Sequence, residues 1–164
     1  MATSSTFQVR IVLASPNGAT CALLAAQAGS TVLASCLRNA EAVGQALSEH
    51  EGPITVVACG ERWPDATLRP ALEDLLGAGA VLSTLGGRTS PDARSAIAAW
   101  RDAQHRVDET IESCMSGAEL QRKGATNDVA YCSQVNVSGV VPVLVNGAFR
   151  SASPEELLRF TNIK

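Results

Sequence analysis

The chain has 164 residues, of which 46% are hydrophobic, 4% aromatic and 18% charged, with a net charge of −3. That length suits one domain burying roughly two thirds of its unfolded surface. Thirteen Lys and Arg against sixteen Asp and Glu, without a basic block, argue against nucleic acid or an anionic membrane as partner.

The amino-terminal MATSSTFQVR has no secretory apolar core, and no apolar run approaches membrane-spanning length, so the cytoplasm is expected. Cys21, Cys36, Cys59, Cys114 and Cys132 are odd in number and widely spaced, which suits reduced thiols better than disulfides. They form no close Cys/His cluster of the kind that holds zinc.

In chain order, Val9–Ala14 reads as a buried strand. Residues 18–28 read as a helix with Ala22, Leu23 and Ala26 on one face and Gly29 as its stop. Thr31–Ser35 reads as a second strand, and Asn39 is placed to cap a helix through Ala40, Val43, Gly44 and Leu47. Residues 54–59, ITVVAC, give the strongest strand signal, being continuous, apolar and β-branched. This order predicts an α/β fold: a single three-layer-like domain over 1–164, with a largely parallel sheet flanked by helices.

Residues 68–80, LRPALEDLLGAGA, give a helix with Leu68, Ala71, Leu72, Leu75 and Leu76 on one face and Asp74 at its flank. Ser90, Pro91 and Asp92 open a further helix, with Ala93, Ile97 and Trp100 facing the core. Short helices are expected over 107–115, 117–123 and 127–135, punctuated by Ser116–Gly117 and Gly124. A last strand over 140–145 contains Pro142, which favours an edge or irregular position. Ser153 can begin a final helical turn.

Open parallel sheets bind ligands outside the carboxyl ends of their strands. Two polar stretches fall at such ends: SPNG (15–18) and CGER (59–62). In the first, Pro16 limits the backbone, Asn17 hydrogen-bonds locally and Gly18 permits unusual dihedrals. Ser15, Asn17 and Gly18 could hold an anion at the helix start; read locally, a simple turn is the better alternative. Arg38 could meet phosphate or carboxylate, or form a surface ion pair, while Asn39 could merely hold a helix end. Glu61 could bind a hard cation or orient water, and Arg62 could complement an anion; their mutual salt bridge is the bland alternative. Asp74 and Asp128 are further oxygen ligands by type, or ordinary helix charges. Cysteine and serine nucleophiles lack a sequence-defined base or elbow.

Taken in order, ASPNGAT (14–20), LRNAEAV (37–43), CGER (59–62), LRPALEDLLGAGAVL (68–82), SPDARSA (90–96), SGAEL (116–120) and NDVAYCSQVNVSGVVPVL (127–144) resemble the 2-phosphosulfolactate phosphatase family of coenzyme M biosynthesis. The resemblance implies an α/β, Mg²⁺-dependent hydrolase that converts 2-phospho-3-sulfolactate to 3-sulfolactate and phosphate. It favours the ligand reading of the first loop. Onto matching positions it carries Ser15, Asn17, Gly18, Arg38 and Asn39 as phosphate contacts. Glu61 and Asp74 become catalytic carboxylates and, with Asp128, metal ligands, while Arg62 or Arg69 would meet the sulfonate.

Two departures accompany it. The family's amino-terminal portion, with an Asp/Arg/Thr-rich motif, has no counterpart here, so 1–164 is expected to be incomplete relative to the family. Asn136 stands where Asp is common, removing a charged ligand while keeping local hydrogen bonding. The competing expectation is therefore a noncatalytic anion-binding or assembly remnant. An exposed edge would also favour self-association into a homo-oligomer.

Overall fold

The computed structural model describes residues 10–12 and 15–161. Among these residues the elements are α1 (Gly18–Gln27), α2 (Ala40–Leu47), β1 (Glu61–Arg62), β2 (Leu68–Arg69), α3 (Leu72–Thr84), α4 (Pro91–Ala103), α5 (Val107–Ser113), α6 (Met115–Arg122), α7 (Thr126–Cys132), β3 (Pro142–Val145), β4 (Ala148–Ser151) and α8 (Pro154–Thr161). A 3-10 turn, Leu37–Asn39, leads into α2.

The expected parallel sheet flanked by helices is overturned: the described strands form two separate antiparallel pairs, β1–β2 and β3–β4, in a mainly helical structure. Of the first expected strand, residues 9, 13 and 14 lie outside the described residues. Ile11 and Val12 are exposed and irregular. Thr31–Ser35 contributes one isolated bridge, Leu33 antiparallel to Val143. The 54–59 run keeps a strand-like alternation, with Ile54 and Val56 half-buried and Thr55 and Val57 exposed, yet belongs to no ladder. β-branched residues fit a pleated surface beside a neighbour; without that neighbour, propensity leaves the run irregular.

The helical signals hold better. Ser90 Oγ accepts from Ala93 N–H at 3.1 Å, and Pro91 occupies the first turn of α4, where a missing N–H costs nothing. α3 and α4 approach so closely that a Cβ on Gly79 would lie 2.2 Å from the Ala96 carbonyl oxygen. Leu76, 1% exposed, anchors a core that includes Val43, Val81, Trp100 and Ile111. Burying such a leucine is worth about 2 kcal/mol.

Three local expectations need correction. The 68–80 helix begins only at Leu72, because Leu68–Arg69 pairs as β2 and Pro70 lies between. Leu68 is therefore 64% exposed, and Leu72 and Leu75 are also exposed. Ser116–Gly117 lies inside α6; the chain instead turns at extended Cys114, whose Sγ accepts from Gly117 N–H at 3.4 Å. Leu23 and Leu24 on α1 are exposed, and none of that helix's residues is buried.

β3 and β4 are joined by Asn146–Gly147, both at positive φ, 51° and 77°. This pair suits the twist of a two-residue hairpin. Pro142 opens β3 beside the 31–34 segment, where Ala34 N–H donates to the Pro142 carbonyl at 3.0 Å. Proline cannot return that bond. The Ala34 carbonyl instead accepts from Asn39 Nδ2 at 3.4 Å. α8 begins with a reciprocal box: Glu156 N–H donates to Ser153 Oγ, and Ser153 N–H to Glu156 Oε2.

Candidate active site

Asn17 stands at the amino-terminal cap position of α1 but makes no side-chain cap bond. Its Nδ2 instead donates to Glu61 Oε2 at 3.1 Å, across 44 residues of chain. Asn17 is 9% exposed, so this bond satisfies an amide removed from water. Gly18 is the first helical residue and is not at positive φ. A Cβ there would make ordinary contacts, 3.6 Å to Ser15 Oγ and 3.9 Å to Cys59 Sγ, which places both side chains beside the helix start.

Glu61 owes its position to a short hairpin. It pairs with Arg69, and the loop between the strands closes through Trp63 N–H to Thr67 O and Ala66 N–H to Trp63 O. Thr67 donates from both N–H and Oγ1 to Asp65 Oδ1, holding the Asp65 carboxyl below its ordinary value. Immediately before Glu61, Gly60 has φ +70°, and a Cβ would meet Arg69 O and Leu68 Cδ1 at 3.0 Å each. Both conformation and space therefore call for glycine.

That turn aims Gly60 N–H at Asp74 Oδ2, 2.6 Å away in the first turn of α3. Burial pushes the Asp74 carboxyl above its ordinary value, the Gly60 bond opposes the shift, and Glu73 and Glu61 add repulsion. Burial first, then Cys21 and Asp74, push the neighbouring Cys59 thiol up to about 11. Cys59 is thus a thiol at neutral pH and a poor nucleophile.

The structure thus joins Asn17, Glu61 and Asp74 through Gly60, with Ser15 and Gly18 alongside. It does not bring the other candidates into that contact network. Arg38 donates to Tyr131 O at 2.9 Å and to Gln134 Oε1, with its guanidinium 3.5 Å from the Tyr131 ring centre. Asn39 is buried; its Oδ1 accepts from Cys36 N–H at 2.8 Å and its Nδ2 donates to Val140 O at 3.0 Å. Asp128 is exposed in the first turn of α7. Asn136, at φ 52°, accepts from Glu41 N–H at 2.9 Å and so caps α2 from across the fold. Arg62 is exposed and donates to Ala66 O at 2.7 Å.

Arg69 is different. Its side chain is 7% exposed, pairs with Glu119 at 3.3 Å, and sits 5.6 Å from the Trp63 ring centre. One turn before Glu119 on α6, Ser116 Oγ is sealed from solvent without a hydrogen-bond partner among the described residues. An unsatisfied buried hydroxyl costs about 1–3 kcal/mol. In the sequence, Ser116 stands out only as a break between two short helices and as the first residue of SGAEL.

Among the described residues, no group of three His, Cys, Asp or Glu side chains could hold a metal. The expected trio Glu61, Asp74 and Asp128 is not assembled. Two hollows lie elsewhere: one of about 640 Å³ lined by Thr31, Val143, Glu156 and Phe160, and one of about 530 Å³ between α3 and α4.

Two restrained carboxylates thus stand beside a polar helix start. The model of the 2-phosphosulpholactate phosphatase family matches residues 2–147. The chain belongs to that family. It is 33% identical over 118 residues to a 2-phosphosulfolactate phosphatase of Methanothermobacter thermautotrophicus, covering 72% of this chain and 50% of that protein. It is 32% identical over 142 residues to a Deinococcus radiodurans protein named "Probable 2-phosphosulfolactate phosphatase", covering 84% of this chain and 57% of the other. A Pseudothermotoga lettingae protein of the same name is 28% identical over 122 residues, covering 74% and 52%. The chain spans about half the length of these curated relatives.

Proposed function

We propose that this chain serves the hydrolysis of 2-phospho-3-sulfolactate to 3-sulfolactate and phosphate, the activity for which its relatives are named. The Asn17–Glu61 bond supports the reading most directly, because it draws two polar motifs of the family into one centre.

The residues suit Mg²⁺ in part. Asp74 Oδ2 is committed to Gly60 and Glu61 Oε2 to Asn17, leaving one oxygen on each carboxylate for a cation. Mg²⁺ commonly takes one or two carboxylates and completes its shell with water and substrate phosphate. Glu61 and Asp74 would hold it, and Asp128 is not needed. When bound, the ion offsets charge on the phosphoryl oxygens.

The chain's own groups do the positioning. Asn17 fixes the rotamer of Glu61 and so keeps its remaining oxygen available for that cation. Gly60 N–H fixes Asp74. Ser15 and the start of α1 offer donors to the phosphate. Arg69 is better placed than Arg62 for the sulfonate, because it is buried opposite Glu61. Arg38 and Asn39 are given no step, because they are held away from this centre by Tyr131 and Gln134 and by Cys36 and Val140. Five free cysteines favour a reducing compartment, so the proposal includes a cytoplasmic location. Among the described residues no helix is long and apolar enough to cross a membrane.

Phosphate release by purified 1–164 with 2-phospho-3-sulfolactate and MgCl₂ tests the reading. Turnover that is lost in Glu61→Gln supports it; folded protein releasing no phosphate overturns it. The second reading, binding without turnover, draws on the uncovered α1 and 54–59 segments. Saturable calorimetric binding of 3-sulfolactate without phosphate release would favour it.

A further inference from the structure

We propose that Cys21 and Cys59 are an oxidation site: a peroxide joins their sulfurs in a disulfide that ties α1 to the turn before Glu61 and so slows the site. Formation of the disulfide does not depend on which anion the site handles.

Cys21 lies in the first turn of α1, where its N–H donates to Asn17 O at 3.0 Å. Gly18 stands three residues earlier, hence on the same helical face. A Cβ on Gly18 would be 3.9 Å from Cys59 Sγ, so Cys59 rests against the face that carries Cys21. The two side chains share a hydrogen bond. Both are free thiols, half-buried and so open in part to a small oxidant. Cys114 differs: it is buried, and its Sγ donates to Ile111 O at 3.1 Å.

Two thiols and one hydrogen peroxide balance. A thiolate attacks one peroxide oxygen; an S–O bond forms, the O–O bond breaks and hydroxide leaves. The second sulfur then displaces hydroxide from the sulfenic acid, forming S–S. Both sulfurs are oxidised, the peroxide is reduced, and the two thiol protons leave in two waters.

The link acts where α1 is weakly held. None of that helix's residues is buried, and Asn17 ties its start to Glu61 by one bond of 3.1 Å. Disulfide formation brings the sulfurs inside van der Waals contact. Cys59 directly precedes Gly60, whose N–H holds Asp74 at 2.6 Å and whose φ of +70° sets the turn into Glu61. The pull on Cys59 is therefore passed to both carboxylates. In a reducing compartment such a link is transient and reversed by thiols, which suits a sensor better than a structural brace.

The test uses the 1–164 protein carrying Cys36→Ser and Cys132→Ser, so that Cys21 and Cys59 fall on separate tryptic peptides, 11–38 and 39–62, with no other cysteine in either. After hydrogen peroxide and alkylation of remaining thiols, mass spectrometry should find the two peptides joined and two hydrogens lighter than their sum. Tm should rise by roughly 5 °C or more, because the link constrains the unfolded chain. Phosphate release should fall about tenfold, and dithiothreitol should restore it. Cys21→Ser in the same background should show no joined peptide, no Tm rise and no thiol-reversible loss. Peroxide treatment that leaves both thiols free to alkylate, or carries either to a sulfinic acid without joining them, overturns the proposal. A joined protein that hydrolyses as fast as the reduced one overturns the control of the site. If the reduced protein hydrolyses 2-phospho-3-sulfolactate but no link forms, the thiol site falls and the phosphatase reading stands. If the link forms and raises Tm but the reduced protein releases no phosphate, the phosphatase reading falls and the thiol site stands.

Discussion

The stretch from α3 to α7 and the face carrying α1, the 54–59 run and the β1–β2 hairpin are built by different means. In the first, helices meet over Leu76, Val81, Trp100 and Ile111, and small residues such as Gly79 and Ala96 let backbones approach. In the second, Leu23, Leu24, Val57 and Leu68 are exposed, and position is set by polar bonds: Asn17 to Glu61, Gly60 to Asp74 and Arg69 to Glu119. Apolar packing is nondirectional and sums over many contacts. A few hydrogen bonds instead fix particular atoms, at modest net stability. Chemistry thus sits where the chain is held by direction rather than by bulk.

Breaking the packed region should have the largest effect on stability. Leu76→Ala is expected to cost about 2–5 kcal/mol in urea unfolding, since it leaves a cavity around a side chain that is 1% exposed. Breaking the polar region should instead spare folding and remove activity. Glu61→Gln should lower phosphate release about 100-fold with little change in Tm, because its side chain is exposed and packs little. An equal loss of stability in both variants would dissolve the contrast.

A smaller effect sharpens it. Asn136, just after the packed stretch, is a polar latch onto α2, so Asn136→Ala should cost about 1 kcal/mol by removing the α2 cap. Asn136→Asp retains an acceptor and should be nearly neutral, as differential scanning would show. The smallest effect concerns pH. Arg150, with help from Ser153 N–H, holds the Glu156 carboxyl down at about 2, against an ordinary 4.5. The stability this adds is present above the ordinary value and fades as pH falls toward 2. Arg150→Ala should therefore flatten the acid limb of the unfolding curve between those values while changing little at pH 7.

Much of the helical organisation was legible because its signals are local. Ser90–Pro91, Ser153 with Glu156, and the apolar spacing of Ala40, Val43 and Gly44 on α2 act within a few residues. The Asn146–Gly147 hairpin is equally local, its Asn-Gly pair standing directly after the strand expected over 140–145. The β1–β2 hairpin was hidden by Pro70, which split what looked like one helix into a strand and a shorter helix. The site was half legible. Asn17, Glu61 and Asp74 were singled out by residue type, yet nothing in their spacing said that Gly60 N–H would tie Asp74 to the turn before Glu61. Arg38 looked similar in sequence and went to Tyr131 instead.

By itself, the sequence determined where α4 and α8 start, which positions are apolar and which motifs belong to a phosphatase family. Those depend on caps, periodicity and ordered residue types, all carried by the chain alone. Only the tertiary structure decided that the runs at 31–35 and 54–59 would not join a parallel sheet. A ladder needs donors and acceptors from a second segment. It also decided that Asn17 would bind Glu61 rather than cap its own helix, because one amide served a buried partner better than the turn beside it.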